Sequence, residues 1–364
     1  MQWYIIRVSD MTRIRYPTLL AGMLMSLALP LRAHHSFAPH FDASKRVVIS
    51  GVISEYEQRN PHAYLHVVAE DENGRMREYV CESHGITQLT RNGIAPAMLA
   101  PGTTVTLSGA QARRDPYMCF FDTVGFADGR VLNVNGTRGV GPTVATASGR
   151  TSPEEAQRSD IYGTWLLVPA NRSTSGPQPM MDFLTEAGRA AVEQYDPFID
   201  DPTFRCDPVA LRRVWFAPAT PLSIARVADR IIIHHEWMDV ERIIYLDRDD
   251  HPAQVPKNSL GHSIGRFEGD TLVIETGNFS PGVLRQYVEM PGQPTRGLLH
   301  SAELTTIERL RFDAAENRLQ MEIEHYDPKF FTRDFDVSTA AYAPSDLELQ
   351  PFNCRPENPD HSLQ

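Results

Sequence analysis

The sequence lacks the short signatures that usually announce an enzyme. It has no Gly-x-Gly-x-x-Gly and no P-loop, which argues against nucleotide chemistry. It has no Gly-x-Ser-x-Gly elbow; Gly261-His262-Ser263-Ile264-Gly265 does not supply one, because a strand follows it where an elbow needs a helix. His234-His235-Glu236-Trp237 is not His-Glu-x-x-His. On a strand its two histidines point to opposite sides, His235 with Ile231 and Ile233, and His234 with Ile232 and Glu236. There is no Cys-x-x-Cys, so neither a thioredoxin-like site nor a zinc knuckle is supported. There is no run of basic residues and no short-period repeat. Beyond the first thirty-odd residues no apolar stretch approaches the roughly 20 residues that span a bilayer.

What is present begins with an export signal. Met11-Thr12-Arg13-Ile14-Arg15 is a positive n-region, residues 18–29 are apolar, and Pro30-Leu31-Arg32-Ala33 ends on a small residue. Residues 1–33 are therefore expected to be a signal peptide, with the true start at Met11, and the protein is expected in the periplasm or secreted. The segment holds four arginines against Asp10, so removing it moves the net charge from -11 to -14. That field repels nucleic acid and anionic lipid. Four cysteines remain, Cys81, Cys119, Cys206 and Cys354, and an even number in an oxidising compartment favours disulfides. Three pairings are possible; joining within each half gives Cys81–Cys119 and Cys206–Cys354.

The patterning is mainly β. Extended runs at 46–56, 63–69, 76–81, 103–110 and 120–134 surround a helix at 83–92, and Asp71-Glu72-Asn73-Gly74 is a hairpin turn. That order matches an OB-like five-stranded barrel over 34–135. Residues 136–160, rich in Gly, Ser and Thr, read as a linker. Residues 161–364 carry hairpin pairs around polar turns, with one or two short helices, one of them capped by Thr185. They suggest an antiparallel β-barrel or a sandwich. Gly163-Thr164-Trp165 opens this half as a lipocalin-like barrel opens.

The first half resembles the DUF6152 family of exported bacterial proteins. The resemblance rests on His34-His35-Ser36-Phe37, Phe41-Asp42, Gly51-Val52-Ile53, Asn60-Pro61-His62-Ala63 and Pro101-Gly102-Thr103. The second half is similar to a segment of uncharacterised bacterial secreted proteins, through Cys206-x-Pro208, Ile244-Tyr245-Leu246-Asp247, His251-Pro252, Glu268-Gly269-Asp270, His300-Ser301 and Asp327-Pro328. Neither resemblance brings established catalytic residues.

Two sets of residues are candidates for chemistry. Cleavage after Ala33 gives His34 a free amine beside its imidazole, a pair that can chelate copper; His35, His62 and His66 are the expected further ligands, with His40 and His84 in reserve. In the second half, His262, His300, His325 and Asp327 lie on different hairpins that a barrel can gather at one mouth as an acid–base site. Three functions follow as expectations: binding of a small molecule or an accessory role, with an apolar cavity in the second barrel; copper binding at the processed terminus; or a hydrolase or lyase activity.

Overall fold

The structure is a computed structural model and describes residues 40–134, 157–174, 181–196, 200–217, 220–252, 254–288, 296–333 and 335–357. The export signal, His34, His35 and most of the expected linker lie outside the described residues.

The first barrel uses β1 (Phe41–Glu57), β2 (His62–Glu70), β3 (Met76–His84), β4 (Thr104–Ala112) and β5 (Met118–Phe126), with β6 (Val131–Asn133) added beside β5. Antiparallel ladders join β3 to β2, β2 to β1, β1 to β4 and β4 to β5, and a parallel pairing of β3 with β5 closes the ring. This is the OB-type connectivity expected from the strand order. The long β1 serves two neighbours. Gly51 pairs with Ala69 of β2 and with Val105 of β4, at the point where the strand turns from one partner to the other. A Cβ there would sit 2.3 Å from the Val68 carbonyl oxygen, so the close approach requires glycine. The Asp71–Gly74 turn forms as expected, its Asp71 carboxylate accepting from the Asn73 and Arg75 amides. The helix α1 (Ile86–Arg91) starts later than the sequence predicts. Ser83 and His84 stay in the β3 ladder opposite Ala63 and His62.

The second half is a closed barrel rather than a sandwich. Its strands are β7 (Gly163–Thr174), β8 (Pro221–Val227), β9 (Arg230–His235), β10 (Val240–Tyr245), β11 (His262–Glu268), β12 (Thr271–Gly277), β15 (Thr305–Asp313), β16 (Arg318–Tyr326) and β17 (Phe335–Pro344), which pairs back onto β7. A hairpin of β13 (Gly282–Val288) and β14 (Arg296–His300) stands apart between β12 and β15. Nine strands cannot alternate in direction around a ring. One junction must be parallel, and it is β10–β11, where Ile244 pairs with Ser263 and Tyr245 with Ile264. The crossover through residues 246–261 provides the length such a junction needs. Trp165 is fully buried, its indole N–H donating to the Ile161 carbonyl.

The long connection from β7 to β8 carries α2 (Glu186–Gln194) and α3 (Leu211–Trp215). Thr185 caps α2 by accepting the Gly188 N–H at 3.1 Å, as its position predicts. The short helix α3 drives Trp215 into the barrel. Its indole donates to Glu308 of β15, its carbonyl accepts the Tyr342 hydroxyl, and its ring meets His235 edge-on at 4.9 Å. Glu308 also takes both terminal nitrogens of Arg242, at 2.9 and 2.7 Å, and Arg242 reaches Ser263 and Thr276. Beside this network, the apolar side chains of Leu222, Ile233, Leu272, Leu310 and Met321 are buried. The expected apolar cavity would have to occupy space that Trp215 and the Arg242–Glu308 pair already take.

Both barrels belong to one compact unit. Arg91 of α1 makes a two-point ion pair with Glu236, whose side chain has no exposed surface. The tail at 350–357 stitches the joint. Phe352 N–H donates to Asp239, Arg355 N–H donates to the Asn60 carbonyl, and Glu357 meets His62. Disulfides Cys81–Cys119 and Cys206–Cys354 form, the second fixing this tail beside α3.

Candidate functional site

The histidines expected to catalyse fall in two places. His300, His325 and Asp327 share one buried neighbourhood, each no more than 1% exposed. Ile323, His325 and Asp327 do face one way, and Glu322 and Glu324 face the other, where both pair with Arg309. Asp327 is already saturated. It accepts the Ser301 N–H at 2.6 Å, the Ser301 hydroxyl at 2.7 Å and the Phe330 N–H at 3.3 Å. His300 holds the Ser301 carbonyl through Nδ1 at 3.0 Å, and burial lowers it to about 4 against the smaller upward pull of that bond and of Asp327. This cluster fastens the β14–β15 connection to the chain after β16.

His262 lies apart, half-buried against His251. Their Nδ1 atoms are 2.8 Å apart and their centroids 5.1 Å apart, which places the two nitrogens nearly on the line between the rings. One ring donates its N–H and the other accepts, so the pair tolerates one positive charge and not two. His262 is lowered by burial, then by His251 and Arg248, and its ring stacks on Tyr245. His251 entered the sequence reading only as part of the His251-Pro252 resemblance, not as a neighbour of His262.

Of the expected metal ligands, His62 and His66 are engaged by carboxylates. His66 bonds Glu57 at 2.9 Å. His62 bonds Glu357 at 2.9 Å and lies 3.6 Å from Glu82. Burial pulls the His62 imidazole down, but the charges of Glu357 and Glu82 outweigh it and raise it to about 9. Among the described residues, no three His, Cys, Asp or Glu side chains are placed to hold a metal ion. His34 and His35, on which copper binding turns, lie outside those residues.

The raised His62 gives a pH prediction. Its pKa is higher folded than unfolded, so its contribution is complete below the ordinary value of 6.5 and is lost as pH climbs through about 9. Wild-type protein is expected to lose roughly 3 kcal/mol across that window. Glu357→Gln should flatten the profile. Urea denaturation at a series of pH values measures both, and parallel profiles would contradict the pairing.

The polar cluster that sequence reasoning missed lies on the flank of the second barrel. Asp201 caps the 3-10 turn Pro202–Arg205, and its Oδ1 accepts the Thr203 N–H, the Thr203 hydroxyl and Arg213 Nη1 at 3.0, 2.7 and 2.9 Å. Its Oδ2 has no hydrogen-bond partner among the described residues, and neither do Arg213 Nε and Nη2 or the Tyr195 hydroxyl. All three residues are buried. Burial raises Asp201, but Arg213 and the Thr203 bonds more than reverse it and keep it ionised. Tyr195 is raised by burial and next by the Asp201 charge, so its hydroxyl remains a donor. Gly297 of β14 makes room for this tyrosine, since a Cβ there would come within 2.1 Å of its ring. Buried groups in folded proteins are nearly always hydrogen-bonded. Nε and Nη2 form the edge of a guanidinium that grips an acceptor at two points. The one local signal was Arg212-Arg213 inside an apolar stretch, which does not reveal Asp201 or Tyr195 as neighbours.

Among the described residues no helix is long and apolar enough to cross a membrane. No curated protein and no solved structure matches the chain. A family profile does match part of it: residues 21–117, which take in β1 to β4 of the first barrel, match DUF6152, a family of unknown function.

Proposed function

We propose that this is an exported small-molecule-binding protein whose ligand meets the unpartnered edge of Arg213 beside the second barrel. The observation that carries the reading is the buried Nε/Nη2 edge of Arg213, which meets no acceptor among the described residues. An unmet buried donor is costly, and a ligand that supplies the acceptor removes that cost. The expected cavity inside the barrel has less support, because Trp215, Arg242 and Glu308 occupy the interior. Acid–base catalysis has less support too, since His300, His325 and Asp327 are sealed from solvent. Export, with a periplasmic or secreted location, rests on the basic and apolar segment before His34 and agrees with two disulfides.

Saturation-transfer NMR with acetamide, urea, acetate and phosphate as probes tests the reading. At least one probe should receive signal from wild-type protein and none from Arg213→Met. Absence of transfer to all four, or transfer that survives the substitution, would overturn it.

A further inference from the structure

We propose that His251 and His262 form a proton-sensitive latch on the β10–β11 junction, and that acid pH releases it and opens the second barrel along that seam. The junction is the shortest in the ring among the described residues. Its parallel ladder holds two residue pairs, Ile244 with Ser263 and Tyr245 with Ile264, where β9–β10 holds six and β11–β12 seven. Parallel pairing is also slightly weaker per residue than antiparallel. Side chains brace the seam. Tyr245, the last residue of β10, stacks on His262, the first of β11, with centroids 5.0 Å apart and planes 7° from parallel. The crossover that leaves β10 is anchored near its two ends. There the Leu246 N–H donates to the Asp229 carbonyl, and the Asn258 carbonyl accepts the Ser280 N–H. Between those anchors His251 ties the crossover to β11 through His262.

The latch holds in one range of charge. Two Nδ1 atoms 2.8 Å apart have room for one N–H between them. When both rings are charged, each Nδ1 carries an N–H, and two cationic donors face each other. The surroundings accommodate one charge and resist the second. Glu275 of β12 lies 3.9 Å from His251 Nε2 and offers that ring a countercharge. Arg248 of the crossover and Arg230 of β9 lie over the Tyr245 ring, at 4.2 and 5.2 Å, and add positive charge beside His262. Asp247 pairs with Arg248 at 2.9 Å and offsets part of it. Asp249 and Asp250 are exposed, so solvent screens them. Burial lowers His262, and His251 and Arg248 add to that. A group whose pKa is lower in the closed state than in the released one takes up its proton on release. Opening is therefore disfavoured above the ordinary value of 6.5 and grows as pH falls through it. What the seam covers is polar. Ser263 of β11 lies 3.1 Å from Arg242 Nη2 of β10 and 2.9 Å from Thr276 Oγ1. Parting the two strands separates Arg242 from Ser263 and admits water and small polar solutes to the Arg242–Glu308 pair.

Hydrogen exchange of the full, oxidised protein tests the latch. Peptides covering β10 and the start of β11 report the seam, and peptides from β15 and β16 are the reference within the same barrel. Between about pH 7 and pH 5, seam protection, corrected for the intrinsic exchange rate, should fall about tenfold relative to that reference. A seam as protected at the lower pH, or one that loses protection only in step with β15 and β16, overturns the proposal. His251→Gln removes one of the two cations and lets His262 take its proton with the barrel closed, so the acid-dependent loss should disappear. A variant that keeps the loss places the sensor elsewhere and overturns the proposal. The imidazole nitrogen shifts of wild-type protein give a readout that needs no variant. His251 and His262 should titrate as a coupled pair in two separated steps, and a single shared step near 6.5 would overturn the pairing.

Discussion

Replacing Cys206 and Cys354 together by serine should lower the unfolding free energy by about 5 kcal/mol, the largest loss expected from any single cross-link here. The two cysteines are 148 residues apart, against 38 for Cys81–Cys119. A longer closed loop restricts the unfolded chain more, and the same relation gives about 4 kcal/mol for the shorter one. The loss should also be local. The tail that Cys354 anchors supplies Phe352, Arg355 and Glu357 to contacts with Asp239, Asn60 and His62. Without the tether those contacts must order the tail by themselves, and ordering a residue costs roughly 1–2 kcal/mol. Guanidinium denaturation of the double variant should show the midpoint shift, and the His62-dependent slope between pH 6.5 and 9 should shrink with it. A variant as stable as wild type would mean that the tail is held without its disulfide.

Glu308→Ala should cost about 3–5 kcal/mol, because it leaves the Arg242 guanidinium buried without a counterion. Arg242 and Glu308 are 3% and 0% exposed, at the centre of the second barrel. The substitution also strips the acceptor from the Trp215 indole. Pairing it with Arg242→Met should recover most of the loss, since removing both charges removes the need to solvate either. Urea denaturation of the two single variants and the double forms a cycle. Additive losses would show that the two charges act independently, contrary to their two-point contact.

Features carried by local pattern were legible in the sequence. The strand order of the first barrel, the Asp71–Gly74 turn and the Thr185 cap each depend on residues close in the chain. Strand alternation placed His234 and His235 on opposite sides and His325 with Asp327 on one face, because a period of two survives whatever the strand pairs with. Features set by distant partners were not legible. The parallel β10–β11 junction follows from closing nine strands, and no local signal counts strands around a ring. Trp215 belongs to a helix of five residues with no amphipathic pattern, so its place inside the barrel is decided by Glu308 and Tyr342, more than ninety residues away. His325 and Asp327 looked like an acid–base pair because residue type and strand face were visible, while the Ser301 bonds to the carboxylate were not. Arg213 was hidden for the opposite reason. Its importance lies in the bonds it does not make within the described chain.

The most direct test of the account is a crystal structure of the oxidised protein soaked in the probe that receives saturation transfer. The account predicts density for that probe at Arg213, with an acceptor atom within hydrogen-bonding distance of Nε and Nη2. Density for water alone in that place, or a protein carbonyl occupying the Arg213 edge, would contradict it.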